Sequence, residues 1–275
     1  MYALPNAKIN IGLYVVGRRP DGYHDLQTVF YPIPLTDSLE IKEARRLREP
    51  YEFIMSGLKV PDDGHDNLVV RVFMALREEF RLPPTSIFLS KHIPVGAGLG
   101  GGSSDAAAMM QLLNDYYHLD LSDIEMEKRL ALFGADCPFF VRNKPVYAEG
   151  VGNVFSPVSV SLKGMYIALV KPTIHISTAE AYAGVTPRQP AVSLTDALEN
   201  TPVQLWRNVV TNDFESSIFA RYPQIAAIKQ TLYDMGALFS AMSGSGSAVY
   251  GLFTHPVDNV AKVFSDCYTF SARLS

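Results

Sequence analysis

Apolar and polar residues alternate from the start of the chain. Ala7, Ile9, Ile11, Leu13 and Val15 fall on one side, and Lys8, Asn10, Gly12 and Tyr14 on the other, which is the period of a half-buried strand. Gly17 to Gly22 reads as a turn, and extended stretches follow at Leu26–Ile33, Ser38–Glu43 and Tyr51–Ser56. The period then changes. Leu68, Val69, Val72, Leu76 and Phe80 recur at helical spacing behind Asp66 or Asn67 as cap. Ser86–Ser90 is strand-like, and a run dense in Ala, Met and Leu from Asp105 predicts a buried helix. Ser122 and Glu125 form a capping box that opens another helix, with Gly134 to end it. Tyr147–Gly150 returns to extended structure.

A Ser/Pro/Val stretch from Phe155 to Gly164 precedes a strongly apolar strand at Met165–Pro172. It suggests a division into residues 1–158 and 159–275. Pro223–Met235 reads as a helix ended by Gly236, and strand-like runs Ala237–Met242 and Ala248–Phe253 surround a glycine–serine loop. Strands and helices mix without strict βαβ alternation, so an α+β fold is expected.

Composition narrows the function classes. The chain has 275 residues, 48% apolar and 19% charged, enough to build a sizeable core. Its net charge of -4 argues against a nucleic-acid partner, whose binding rests on neutralising many phosphates. The basic cluster from Lys42 to Arg48 is interrupted by Glu43 and reads as a solvated loop. Cys137 and Cys267 stand far apart without a CxxC partner, so neither a disulfide framework nor a structural zinc site is expected. No leader-like segment opens the chain and no stretch reaches the apolar length of a membrane span, which makes the cytoplasm the expected location and a membrane an unexpected partner.

The densest chemical signal is Gly96-Ala97-Gly98-Leu99-Gly100-Gly101-Gly102-Ser103-Ser104, followed directly by the predicted helix. Glycines let backbone N–H groups approach a ligand closely, and the helix start adds a positive dipole end, so the loop reads as a phosphate cradle. It is not a Walker A loop, because Gly102 stands where that motif needs lysine. Gly96, Gly98 and Gly101 satisfy G-x-G-x-x-G, but a dinucleotide loop follows the first strand of a βαβ unit and needs a strand-end acid, whereas Asp120 lies in a helix connection.

The segment PVGAGLGGGSSDAA resembles the phosphate-binding motif of the GHMP kinases. PNAKINIGLYVVGRRPDGYHDL resembles their first motif and SGSGSAVYGLF their third glycine-rich motif, in the same order. AKIN, GRRPDGYH and GADCPFF point to one branch, whose acceptor alcohol carries a cytidine diphosphate. The resemblance implies two α+β domains, the N-terminal one similar to ribosomal protein S5 domain 2 and the C-terminal one an α/β sandwich-like domain, with ATP and acceptor in the cleft between them. It implies MgATP as donor, a small molecule as partner and phosphate contacts from Pro94, Gly96, Gly98, Leu99, Gly100, Gly101, Gly102, Ser103 and Ser104. Ser103 and Ser104 also suit a helix cap. No residue is assigned as a metal ligand, so Mg²⁺ is expected to rest on ATP oxygens and water. Asn6 and Leu4 depart from the serine or alanine common in relatives, at positions that touch no proposed chemical group.

Local sequence makes Asp136 a turn or cap aspartate and Lys8 an edge charge. The resemblance instead makes Asp136 the general base and Lys8 its electrostatic partner at the acceptor hydroxyl. Acceptor recognition falls to Asn10, Tyr23, His24, Phe30, Thr178 and Tyr182, with Tyr23 and Tyr182 as stacking candidates for a cytosine ring and His24 as reader of its polar edge. Tyr182 equally suits a core-packed helix face. Ser243, Gly244, Ser245 and Gly246 form a turn between strands, and by resemblance they border the active cleft. Cys137 reads as a small buried residue. The alternatives are a GHMP kinase acting on mevalonate, homoserine or a sugar, a dinucleotide-dependent oxidoreductase, and a non-catalytic nucleotide-binding protein.

Overall fold

In the computed structural model, which describes residues 1–60 and 67–275, the strands and helices are mixed along the chain. The first elements are β1 (Tyr2–Ala3), β2 (Asn6–Arg18), β3 (His24–Thr36), β4 (Ser38–Glu43), β5 (Tyr51–Gly57), α1 (Leu68–Phe80) and β6 (Thr85–Lys91). Next come α2 (Gly101–Tyr117), α3 (Asp123–Leu130), α4 (Phe139–Arg142), β7 (Val146–Glu149), β8 (Val154–Pro157) and β9 (Tyr166–Lys171). The rest are α5 (Thr178–Ala183), α6 (Leu194–Glu199), α7 (Trp206–Val209), α8 (Phe214–Arg221), α9 (Pro223–Asp234), β10 (Phe239–Met242), β11 (Val249–Phe253), α10 (Val260–Val263) and β12 (Tyr268–Arg273).

These elements form two compact units. The first takes the described residues of 1–7, 35–95 and 100–144. Its sheet runs β1-β4-β6-β5, with β4 antiparallel and β5 parallel to β6. The apolar stripe of α1 (Val69, Val72, Phe73, Leu76) is buried, as are Ala106, Ala107, Met109, Met110 and Leu113 of α2, which packs on it. Asn67 caps α1 by accepting from the Val69 N–H at 3.0 Å, and Asp66, the other candidate, lies outside the described residues. The capping box of Ser122 and Glu125 is present at the start of α3. That helix ends at Leu130, short of Gly134, because tighter turn bonds such as Phe133 N–H to Leu130 C=O take over. The helix expected from Asp105 begins four residues earlier: Gly100 enters at φ +69° and accepts from the Ser104 N–H at 2.9 Å, drawing Gly101–Ser104 into the first turn.

The second unit takes residues 8–34, 96–99 and 145–275. It holds a sheet ordered β2-β3-β7-β8 and an antiparallel sheet ordered β10-β11-β9-β12. Leu13, Val170, Phe214, Ile225, Leu232, Val249 and Phe253 belong to its core. Beyond its own sheet, β2 meets residues 211–213: Leu13 N–H donates to Thr211 C=O at 2.9 Å, and Asp213 N–H to Leu13 C=O at 2.8 Å. The half-buried strand expected for the N-terminus is buried on both faces, Lys8 and Asn10 included. Its polar face is covered because these side chains find partners inside, and Gly12 at φ +67° breaks the simple alternation.

A buried charge cluster sits where β6 leaves the sheet of the first unit. The Lys91 ammonium bridges the carboxylates of Asp37 and Asp105, and Asp37 also accepts from the N–H groups of His92 and Ile93. One ammonium facing two carboxylates is neutral only when one carboxyl keeps a proton. Burial raises the Asp105 carboxyl to about 7 against the pull of Lys91, with Asp37 adding to the rise. Its Oδ1 has no hydrogen-bond partner among the described residues. Burial works against the Lys91 charge, yet Asp105 and Asp37 outweigh it and leave that pKa raised. An unfolded aspartate ionises near ~3.9, so the native chain holds the Asp105 proton more tightly, and this contribution to stability fades as pH climbs from about 4 to about 7. Asp105→Asn removes that slope. Thermal unfolding at pH 5 and pH 8 is expected to show a larger loss for the wild type than for the variant, and parallel curves would mean that Asp105 carries no proton at neutral pH.

Candidate active site

In the second unit, three separated segments meet around Ser243. Its buried hydroxyl accepts from the Asn10 N–H at 3.2 Å and donates to Gly98 C=O at 2.9 Å. Tyr250 Oη donates to Asn10 C=O at 2.9 Å. The Asn10 amide donates to Thr28 Oγ1 at 3.0 Å and accepts from Lys8 Nζ at 2.6 Å. Lys8 is only 3% exposed, and its ammonium stands 4.6 Å from the centre of the Phe30 ring, a cation–π contact. Thus Lys8, Asn10, Phe30, Gly98 and Ser243, all named from sequence, form one cluster. Thr28 was missed; its hydroxyl also donates to Gly12 C=O at 2.6 Å.

Gly98 is a glycine of necessity. It sits at φ +75°, and a Cβ there would lie 1.9 Å from the Ser243 carbonyl oxygen. Downstream in the first unit, α2 begins at Gly101 behind Gly100, which offers no side-chain cap, and no acidic residue occupies the first turn. The first turn of this 17-residue helix thus supplies neither a side-chain cap nor an acidic residue for its own leading N–H groups, an arrangement that suits a phosphate.

Asp136 lies in the turn between α3 and α4, half-buried. The neighbouring Cys137 thiol is hydrogen-bonded to Ser103, which ties this turn to the first turn of α2; burial, opposed by that bond, pushes the thiol up to about 11. A thiol so placed is no nucleophile at neutral pH, in keeping with the small buried residue expected. Ser104 is buried.

His24 and Tyr182 come together as a stacked pair, with ring centres 4.8 Å apart and planes at 18°, and Tyr182 meets Phe214 edge-on at 4.9 Å. Tyr23 stands apart from them, 65% exposed. Thr178 is exposed at the first position of α5, which Ser177 caps through the Glu180 N–H. Beneath the third glycine loop, two further residues missed from sequence hold the backbone: Asn212 and Glu215, both buried. They stand in an irregular Asn-Asp-Phe-Glu run that carries no periodicity.

A helix opened by glycines suits phosphate oxygens, and a buried lysine held by asparagine suits developing negative charge. GHMP kinases N terminal domain matches residues 67–144, and GHMP kinases C terminal matches residues 194–268. The chain is 49% identical to 4-diphosphocytidyl-2-C-methyl-D-erythritol kinase of Bacteroides fragilis, over all of both chains. It is 50% identical to the protein of the same name from Parabacteroides distasonis, again over all of both. A crystal structure of 4-(cytidine 5'-diphospho)-2C-methyl-D-erythritol kinase aligns over all of both chains with TM-score 0.81 and 28% identity. The mevalonate kinase of Methanococcus jannaschii shares the fold, with TM-score 0.71 at 14% identity over 100% of this chain and 98% of its own. The chain belongs to the GHMP kinases, in the family of its 4-diphosphocytidyl-2-C-methyl-D-erythritol kinase relatives. Among the described residues no helix is long and apolar enough to cross a membrane.

Proposed function

We propose that this protein transfers the γ-phosphoryl group of ATP to the 2-hydroxyl of 4-diphosphocytidyl-2-C-methyl-D-erythritol, giving the 2-phosphate and ADP, in the cytoplasm and in the non-mevalonate route to isoprenoid precursors. The observation that carries it is the Lys8–Asn10–Ser243–Gly98 cluster, which joins the three kinase motifs in a chain about half identical to kinases of that name. Residues 1–158 supply Lys8, the phosphate loop and Asp136; residues 159–275 supply Thr178, Tyr182 and the Ser243–Gly246 loop.

In this reading the acceptor oxygen attacks the γ-phosphorus, the bond to ADP breaks, and the hydroxyl proton passes to Asp136. Lys8 stabilises the negative charge developing on the acceptor oxygen, and Asn10 fixes the ammonium for that role. The N–H groups of the 96–104 loop and of the α2 start hold the donor phosphates. His24 and Tyr182 receive the cytosine, an aromatic face with a polar edge beside it. Mg²⁺ neutralises the phosphate charge when bound. When Mg²⁺ is bound, the Ser103 or Ser104 hydroxyl would help to hold it together with ATP oxygens and water.

ADP release is measured with MgATP and, in turn, the diphosphocytidyl methylerythritol, mevalonate, homoserine and galactose. Turnover with the first alone, competed by CDP, is the expected result. Turnover with another acceptor would keep the kinase and discard the cytosine site. Binding of NAD without ATP would discard both.

A further inference from the structure

Among the described residues, strand β10 lies at the edge of its sheet, paired only with β11. Edge strands leave backbone groups in need of partners, and at Met242 these come from two buried side chains. Glu215 Oε1 accepts from the Met242 N–H at 2.8 Å, while Glu215 Oε2 accepts from Lys229 Nζ at 2.6 Å. The Asn212 amide donates to Met242 C=O at 2.9 Å and to Gly244 C=O at 2.8 Å, and its oxygen accepts from the Phe214 N–H at 3.0 Å. Both side chains thus use both of their polar atoms. Ser243 is gripped on each side, and it is Ser243 that bonds Asn10 N–H and Gly98 C=O.

We infer that Asn212 and Glu215 are positioning residues of the phosphoryl-transfer site: by holding Met242 and Gly244 they fix Ser243, and through it Asn10, Lys8 and Gly98. The inference rests on the reaction proposed above for its kinetic consequence. Its structural half stands on the hydrogen bonds alone. The backbone bond to Glu215 needs an acceptor at Oε1 and not a negative charge, which separates positioning from simple charge balance. Lys229 and Glu215 both line a cavity of about 500 Å³, so a carboxylate left by Lys229→Met can be hydrated from that side.

The test compares Asn212→Asp, Glu215→Ala, Glu215→Gln and Lys229→Met with the wild type. Asn212→Asp keeps the Phe214 bond and its shape but replaces the donor that holds two carbonyls. It and Glu215→Ala are expected to lower kcat about tenfold with KM for ATP little changed, since misplaced catalytic groups act on turnover. Amide hydrogen exchange across residues 242–247 rises in both. Glu215→Gln, which keeps an acceptor for Met242, and Lys229→Met stay near wild-type kcat and exchange. The inference is overturned if these two lose as much as Glu215→Ala, which would make the pair a matter of buried charge, or if Asn212→Asp leaves exchange unchanged. Exchange is read without substrate, so a wild type that fails to turn over the cytidine compound sinks the proposed reaction while the positioning claim is still decided.

Discussion

Asp136→Asn is expected to lower turnover by about 10²–10⁴-fold, the usual span for loss of a general base, while ATP binding and melting temperature stay near wild type. The asparagine keeps the shape of a half-buried turn residue but cannot take the acceptor proton. The turn itself is held by the buried Cys137 and its bond to Ser103, and neither depends on the carboxylate. Steady-state ADP release and calorimetric ATP binding check the two halves separately. A variant within threefold of wild-type kcat would remove Asp136 from proton transfer. A variant that loses ATP binding as well would make it a donor-side residue.

Gly98→Ala is expected to cost both stability and activity. The added Cβ would sit 1.9 Å from the Ser243 carbonyl oxygen and 3.4 Å from Gly244 Cα, at φ +75°. Its nearest obstacles are backbone, so no side-chain rotation relieves the overlap. The strained dihedral alone costs about 1–3 kcal/mol. Relief requires Ser243 to move, which breaks its bonds to Asn10 and Gly98. Displacement of catalytic groups by about 1 Å can lower turnover about 10²-fold. Gly102→Ala is the control: a Cβ there meets only Leu68 Cδ1 at 4.0 Å, inside a helix. That variant should fold at least as well as the wild type, so any activity it loses reports contact with the donor phosphates. Equal melting curves and equal kcat for Gly98→Ala would show that the Gly98–Ser243 approach is not needed.

The regular elements were legible where a period ran long enough. β2, β3 and α1 stand out from alternation or helical spacing, and the capping box of α3 is local chemistry written in four residues. The C-terminal half was harder, because α5, α6 and α7 span six, six and four residues, too few turns to establish a repeat. The start of α2 was misplaced because glycines are poor helix formers, and only the turn at Gly100 draws them in. At the site, motif resemblance named Lys8, Asn10, Gly98 and Ser243, and the structure joins them. It could not name Thr28, Asn212 or Glu215. Asn212 and Glu215 hold backbone groups 30 and 27 residues away, and a carbonyl or N–H leaves no mark in a sequence. For Asp136, the turn matches its local sequence; its chemical role rests on the family.

The pairing of β2 with residues 211–213 has a consequence for biosynthesis. A ribosome delivers the strand that bears Lys8 first, and the segment that flanks it roughly two hundred residues later. The second unit draws on residues 8–34, 96–99 and 145–275, so it cannot close before the last of these segments has been made. Contacts this distant along the chain slow folding, and until they form the apolar positions of β2 stay uncovered and prone to association. Asn10, which holds Lys8, thus gains its bonds to Ser243 and Tyr250 only after more than two hundred further residues have followed it.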